Sequence, residues 1–336
     1  MASYTKGEAR AWAREKLNGV AQVTIPTMTN DFKRINEKAV RHDVRLAKEH
    51  GFIGSLAISE VPMSEDEHDQ FQKIMIDEAG KDFIVVHHAV FNTLEDNIEM
   101  VKKAEANGCE LVLLGYPPHF YPQSLEDVYQ YTKAFCDATN LAVMLFPIPI
   151  WGFTRLDPSD IPVSILRRLV DECPNIVAIK AEGGQPYIMS LIEVHREFHK
   201  EVVIASPLEY EYLTMGQLLD IPFCGTNYSA FFGPTIPRAH KLIQQGKFDE
   251  VTQIFYQIDP MRRAVGSIGF GGPGLASRLM WKYQAWLQGY NGGPIRHPQM
   301  RVYAKDMALL RNATKAAGLN PTSDPDEAFF VGRNPS

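Results

Sequence analysis

Lys180 closes the run Asn175-Ile176-Val177-Ala178-Ile179-Lys180 and stands before Ala181-Glu182-Gly183-Gly184. An amine at the end of an apolar strand faces desolvation, which disfavours its ammonium form. The neutral amine can attack a carbonyl carbon and form a Schiff base, an electron sink for cleaving a neighbouring bond. Arginine stays charged and cannot do this chemistry. The same position also suits a structural ion pair with Glu182 or Glu209, and the residue pattern alone leaves both readings open.

Other side chains of the right type lie at the ends of apolar runs. His87 and His88 close one such run. Strand side chains alternate, so one of the two points inward, where an imidazole could move a proton near neutral pH. The alternative is a core histidine bonded to a backbone carbonyl. His119 sits in Tyr116-Pro117-Pro118-His119-Phe120-Tyr121, a wall for an apolar or aromatic substrate or a subunit contact. Glu60 and Tyr228 are acid–base types; Glu60 could equally pair with an arginine. Ser59, Thr226 and Asn227 offer small polar groups that could hold a substrate. A metal is not expected, because neither HxH nor HExxH occurs. His195 and His199 fall in the body of a helical stretch. A mixed set of His87 or His88 with Glu60 and His119 is the remaining route to a metal site.

Chemistry at the ends of apolar runs needs a scaffold that gathers those ends. Short runs rich in Val, Ile and Leu fall at 19–25, 53–58, 83–87, 110–114, 142–146, 175–180, 202–205 and 222–225. They are apolar almost throughout, as strands covered on both faces must be. Segments of helical period separate them: 32–49, 65–79, 93–107, 124–138, 162–171, 185–198, 208–219 and 235–245. Ser64 with Glu67 and Thr93 with Asp96 have the spacing of capping boxes. Eight strand–helix units, with no Gly-rich dinucleotide fingerprint after the first strand, predict an α/β fold of the (β/α)8 TIM-barrel type. Residues 1–18 read as an N-terminal helical extension, 19–246 as the barrel and 247–320 as a C-terminal helical appendix. Residues 321–336, rich in Pro, Asp and Ser, read as a loosely ordered tail. Gly269-Phe270-Gly271-Gly272-Pro273-Gly274 reads as a turn before a helix over 275–290, since no Gly-Lys-Ser/Thr follows it.

Composition narrows the function classes. The chain has 336 residues, 45% of them hydrophobic, and a formal net charge of −6, which speaks against a broad basic nucleic-acid surface. Cys109, Cys136, Cys173 and Cys224 are far apart and form no CxxC pair, as expected of buried thiols in a reducing compartment. Leu141 to Phe153 is apolar but broken by Pro147, Pro149 and Gly152, so no membrane span is expected. The first twenty residues lack a signal-peptide core. A cytoplasmic enzyme acting on a small molecule is the expectation.

The segment Pro174-Asn175-Ile176-Val177-Ala178-Ile179-Lys180-Ala181-Glu182-Gly183-Gly184 resembles the Schiff-base lysine segment of the dihydrodipicolinate synthase and N-acetylneuraminate lyase family of class I aldolases. Val23-Thr24-Ile25-Pro26, Ser64 to His68, Tyr116-Pro117-Pro118 with Pro122, and Phe146-Pro147-Ile148-Pro149 extend the resemblance over roughly residues 17–290. It implies a barrel with a helical C-terminal part, assembled as a homotetramer or dimer. It also implies Lys180 as the imine lysine of a lyase acting on a 2-oxo acid, with no cofactor. Two departures stand out. Family members carry Gly-Thr-Thr-Gly-Glu after the second strand, where this chain has Ser55 to Pro62 and the threonine pair is missing. The family's proton-relaying tyrosine after the fifth strand is matched by Phe146, which has no proton to relay. His88, His119 or Tyr228 is then expected to move the proton, with Ser59, Glu60, Tyr116, Phe146, Thr226 and Asn227 around the substrate. Arg296 is a further candidate for holding an acidic group. The reading is a retro-aldolase or hydratase-aldolase. Its alternatives are a hydrolase or decarboxylase using histidines at the barrel mouth, or a catalytically degenerate binding protein.

Overall fold

Each apolar run is a strand, and the strands are short because each only has to cross one layer of a closed sheet. The computed structural model describes residues 2–183, 187–268, 278–296 and 302–336. Its strands are β1 (Gly19–Thr24), β2 (Gly54–Ala57), β3 (Ile84–Ala89), β4 (Leu111–Leu114), β5 (Ala142–Leu145), β6 (Ile176–Lys180), β7 (Val203–Ser206) and β8 (Phe223–Asn227). They follow one another in a closed barrel, β1 through β8 in sequence order. The fold is the expected (β/α)8 barrel with a helical C-terminal part.

The helices are α1 (Ala9–Lys16), α2 (Glu37–Glu49), α3 (Glu65–Ala79), α4 (Leu94–Ala106), α5 (Leu125–Asp137), α6 (Val163–Glu172), α7 (Tyr187–Phe198), α8 (Glu209–Met215), α9 (Thr235–Gln244), α10 (Phe248–Ile268), α11 (Arg278–Leu287), α12 (Ala304–Ala316) and α13 (Ala328–Val331). Ser64 with Glu67, Thr93 with Asp96 and Ser124 with Asp127 form complete capping boxes. Two expected boundaries move. The helix expected over 32–49 begins only at Glu37, because Met28 bridges Ile35 and the Asn36 side chain accepts Ala39 N–H at 3.1 Å as an N-cap. The helix expected over 208–219 stops at Met215. The turn expected at 269–274 and the first residues of the helices expected over 185–198 and 275–290 lie outside the described residues, as do His297 and Pro298.

The chain divides into two compact units. The first holds Met1–Ala21 and Ile84–Asn227. Its parallel ladder sets the register: His88 pairs with Leu113, Leu113 with Met144, Met144 with Ala178, and Lys180 with Ala205. α1 closes the far end of this ladder, where Arg10 Nε donates to Ile176 O at 2.9 Å, at the start of β6. The second unit holds Gln22–Phe83 and Tyr228–Ser336. Here the tail departs from its polar composition. Phe329 is fully buried against Tyr283 and Trp286, and Arg333 pairs with Asp324 at 2.9 Å. The apolar face of α13 supplies the anchor that the Pro- and Ser-rich stretch does not advertise. Among the described residues no helix is long and apolar enough to cross a membrane. None of the four cysteines is in a disulfide, and all four are buried.

Candidate active site

Lys180 is the last residue of β6, and its side chain is only 5% exposed. Its Nζ donates to Thr226 O on β8 at 2.8 Å and lies 4.0 Å from the centroid of the Phe146 ring. Reaching from β6 to β8 requires the side chain to cross the inner face of the sheet. Two glycines lie close to neighbouring backbone near these strand ends. A Cβ on Gly225 would stand 2.4 Å from Ala21 O, and a Cβ on Gly183 would stand 2.8 Å from Ser159 O and 3.0 Å from Pro147. Both strand ends are therefore drawn close to their neighbours by residues without side chains.

Phe146 is held over the amine by its own loop. Trp151 Nε1 donates to Phe146 O at 2.8 Å, and Ile148 N–H donates to the Asp160 carboxylate at 2.8 Å. Burial pushes the Asp160 carboxyl up to about 7. Asp160 carries no signal in its sequence neighbourhood; it acts through the backbone it binds. The ring face that Phe146 presents favours a cation at Nζ.

Three carboxyls follow the ends of β6 and β7. Glu182 follows it by two residues, and its N–H turns back onto Lys180 O at 3.0 Å. Burial raises the Glu182 carboxyl, the Lys180 charge lowers it, and Glu209 raises it again. Glu209 and Glu211 open α8, straight after β7, and both are buried. Burial first, then the charges of Glu182 and Glu209, push Glu211 up to about 7. Cys224 on β8 is raised by burial and by Glu209. Read as sequence, Glu209 was a possible ion-pair partner of Lys180 and Glu211 was not singled out; what marks both is burial, which composition does not show.

The register settles the two histidines. Neighbours in a parallel ladder share a face, so His88, Leu113, Met144 and Ala178 form one row, on the face that also carries Lys180 two residues further on. His87 belongs to the opposite face. Thr226 and Asn227 end β8. Thr226 gives its carbonyl to Lys180, and Asn227 Nδ2 donates to Pro207 O at 3.2 Å.

Other expected site residues are placed elsewhere. Tyr116 is built into an aromatic core: its hydroxyl is 2.7 Å from Thr132 Oγ1 on α5, and Phe120, Tyr131, Trp151 and Phe153 pack around its ring. Satisfying that hydroxyl inward removes it from a substrate wall. His119 is exposed on the same loop, past the aromatic residues that anchor it. In the second unit, Glu60 and Tyr228 meet through Arg278, a residue the sequence did not single out. Arg278 is ion-paired with Glu60, and its Nη1 donates to Tyr228 Oη at 2.6 Å. Tyr228 stacks on Trp281 with ring centroids 3.4 Å apart. Ser59, half-buried, gives its carbonyl to Val61 N–H at 2.8 Å. Arg296 is committed to Glu67, with both bonds at 2.6 Å, and to the carbonyls of Phe32 and Lys33. Its guanidinium therefore reinforces the start of α3. Among the described residues no group of three or more His, Cys, Asp or Glu is placed to hold a metal ion. His195 and His199 stack on each other and bond to backbone carbonyls.

A model of the Dihydrodipicolinate synthetase family matches residues 29–265. The chain belongs to this family. It is thus a lyase of the class I aldolase type. At 25% identity over 316 residues it is similar to an uncharacterized DapA-like lyase of Pyrobaculum arsenaticum, covering 90% of this chain and 99% of the relative. At 22% identity over 317 residues it is similar to a 4-hydroxy-tetrahydrodipicolinate synthase of Methanopyrus kandleri, covering 91% and 98%. The fold is shared with dihydrodipicolinate synthase from Aquifex aeolicus, with a TM-score of 0.77 at 16% identity over 91% of this chain and 100% of that one. It is shared also with N-acetylneuraminate lyase from Fusobacterium nucleatum, with a TM-score of 0.73 at 18% identity over 89% and 98%. The hydrolase and binding-protein alternatives draw no support from these relatives.

Proposed function

We propose that this family member is a Schiff-base lyase in which Lys180 forms an imine with the carbonyl carbon of a 2-oxo acid or a related carbonyl compound. The observation that carries this reading is the buried Lys180 Nζ at the end of β6, held at 2.8 Å by Thr226 O and facing the Phe146 ring at 4.0 Å. A carbonyl acceptor positions an amine without neutralising it. The aromatic face then stabilises the positive charge of the protonated imine. That charge withdraws electrons from the adjacent carbon framework. In the retro-aldol direction, the carbon–carbon bond one atom removed from the imine carbon breaks and leaves an enamine. The hydroxyl on the departing carbon loses its proton and becomes a carbonyl.

His88 shares the inner face with Lys180, and Thr226 and Asn227 flank it, so these residues form the rest of the proposed site within residues 84–227. The names of the relatives, synthases and lyases of 2-oxo-acid-derived compounds, support the class of chemistry; this chain's own substrate is sought within it. The test is a borohydride trap. The full chain is incubated with pyruvate, with longer 2-oxo acids and with aromatic hydroxy-oxo acids, then reduced and mapped by mass spectrometry. A reduced adduct on Lys180 is expected with at least one of them and none in Lys180→Ala. Failure of every compound to label Lys180 in the folded wild-type protein would overturn the reading.

A further inference from the structure

Phe146 opens the segment Phe146-Pro147-Ile148-Pro149, in which only Phe146 and Ile148 carry a backbone N–H. Pro147 fixes its own φ and restricts Phe146 before it to extended conformations, so whatever holds Ile148 also sets the Phe146 ring. Ile148 N–H donates to the Asp160 carboxylate at 2.8 Å. Ile148 O accepts Trp151 N–H at 3.1 Å, and Trp151 Nε1 turns back to donate to Phe146 O at 2.8 Å. Asp160 is thus the fixed point of a short chain of bonds that ends at the ring 4.0 Å from Lys180 Nζ.

The turn that carries Asp160 also reaches the strand end of the amine. Asp160 N–H donates to Asp157 O at 2.9 Å, and Ser159 N–H donates to the Asp157 carboxylate at 2.9 Å. Gly183, three residues past Lys180, packs so closely that a Cβ on it would stand 2.8 Å from Ser159 O. The turn over 157–160 therefore spans from the residues after Phe146 to those after Lys180. Packing alone leaves room between them: Pro147, Ser159, Ile161, Ala181 and Gly183 line a small cavity. Asp160 is fully buried, and its φ of 72° is a left-handed conformation that aspartate and asparagine tolerate and glycine adopts freely. Its Oδ1 has no hydrogen-bond partner among the described residues, so the single oxygen of an amide can replace the carboxyl as acceptor.

We propose that Asp160 is a positioning residue for the imine at Lys180: by accepting Ile148 N–H it seats the Phe146 ring on the nitrogen that carries the positive charge. This rests on the Schiff-base reading above. Asp160 touches neither the amine nor the substrate in this scheme, and its whole effect passes through the ring.

The test measures the extent of imine on Lys180, trapped with borohydride, at equilibrium with subsaturating pyruvate or whichever 2-oxo acid labels the wild type best. Asp160→Gly keeps the backbone conformation and removes the carboxyl. It is expected to lower the extent about threefold, as far as loss of the ring contact does. Asp160→Asn keeps an acceptor oxygen and is expected to match wild type. In a Phe146→Leu background Asp160→Gly is expected to lower the extent no further, because a positioning residue acts only through what it positions. A merely structural role would cost as much without the ring as with it. Melting curves confirm folding, and Asp160→Ala takes over if Asp160→Gly is unfolded. Three outcomes in folded variants would each overturn this proposal and leave the Schiff-base reading intact: wild-type extent in Asp160→Gly, an Asp160→Asn protein no better than Asp160→Gly, or an equal loss in the Phe146→Leu background. Absence of label on wild-type Lys180 would overturn the Schiff-base reading itself, and this proposal with it.

Discussion

The molecule buries two lysines in different ways. Lys282, on α11, donates to Pro26 O and to Thr27 Oγ1, each at 2.7 Å. Burial pulls its ammonium down and the Asp43 carboxylate pulls it back up. Asp43 is itself raised by burial and lowered by the N–H of Asn291, which it accepts at 2.6 Å. Thr27 Oγ1 passes the chain of bonds on to Gly292 O at 2.8 Å. Every contact of Lys282 named here ties one backbone segment to another. Lys180 donates to the Thr226 carbonyl and lies over the face of the Phe146 ring, at the strand end where a barrel does its chemistry. Burial alone, then, does not mark a reactive lysine; what surrounds the nitrogen does.

The sharpest way to break this contrast is to remove each amine in turn. Lys180→Met is expected to abolish borohydride-trapped label completely while leaving the urea midpoint unchanged or higher, since a polar group held at a functional site is removed. Lys282→Met is expected to behave in the opposite way. It strands Asp43 in a buried site and should cost about 3–5 kcal/mol in urea unfolding, with labelling of Lys180 preserved in the fraction that remains folded. A folded Lys282→Met protein that no longer labels would erase the distinction, and so would a Lys180→Met protein destabilised as much as Lys282→Met.

A smaller effect separates the acid groups of the two regions. Asp43 answers to a nearby ammonium and a backbone N–H, whereas Glu211 is raised to about 7 by burial and by Glu182 and Glu209. A carboxyl whose folded value lies above its ordinary 4.5 binds its proton more tightly in the native state. Its contribution to stability is therefore present at low pH and is lost as pH rises from about 4.5 through about 7. Glu211→Gln removes that loss. The variant is expected to be more stable than wild type by about 2 kcal/mol at pH 8 and indistinguishable from it near pH 4, by denaturant titration at the two pH values. An equal gain at both would mean that the glutamate acts through packing and not through its charge.

The fold was legible because it is written in local terms. Eight apolar runs at regular spacing, with Ser64 and Thr93 at helix starts, fix strands and helices through burial and capping, and the closed barrel follows. Lys180 was legible because it ends such a run. The rest of its surroundings was not, because it depends on register and on which polar groups are denied water. His88 rather than His87 shares its face only through the pairing of β3 to β6. Tyr116 looked like a pocket wall until its hydroxyl was found on Thr132. Glu211 and Lys282 occupy positions where charged residues ordinarily face solvent, so nothing in their neighbours' types distinguished them. The tail misled for the converse reason: one buried ring, Phe329, outweighs a stretch of polar residues.

The smallest expected effect concerns the ring that distinguishes the Lys180 region. Phe146→Leu keeps an apolar side chain beside Nζ but removes the negative face of the ring, which now lies 4.0 Å away. A partly buried cation–π contact is worth about 0.5–1 kcal/mol, so the equilibrium extent of imine at subsaturating 2-oxo acid should fall about threefold. The rate of its formation should change less, because the charge is complete only once water has left. Phe146→Tyr retains the ring face, and it is expected to match wild type in extent. Should the tyrosine variant instead form imine much faster, the ring's lack of a proton would be what limits the step. A leucine variant equal to wild type would show that the ring only fills space, leaving the position at the end of β6 as the feature that sets Lys180 apart from Lys282.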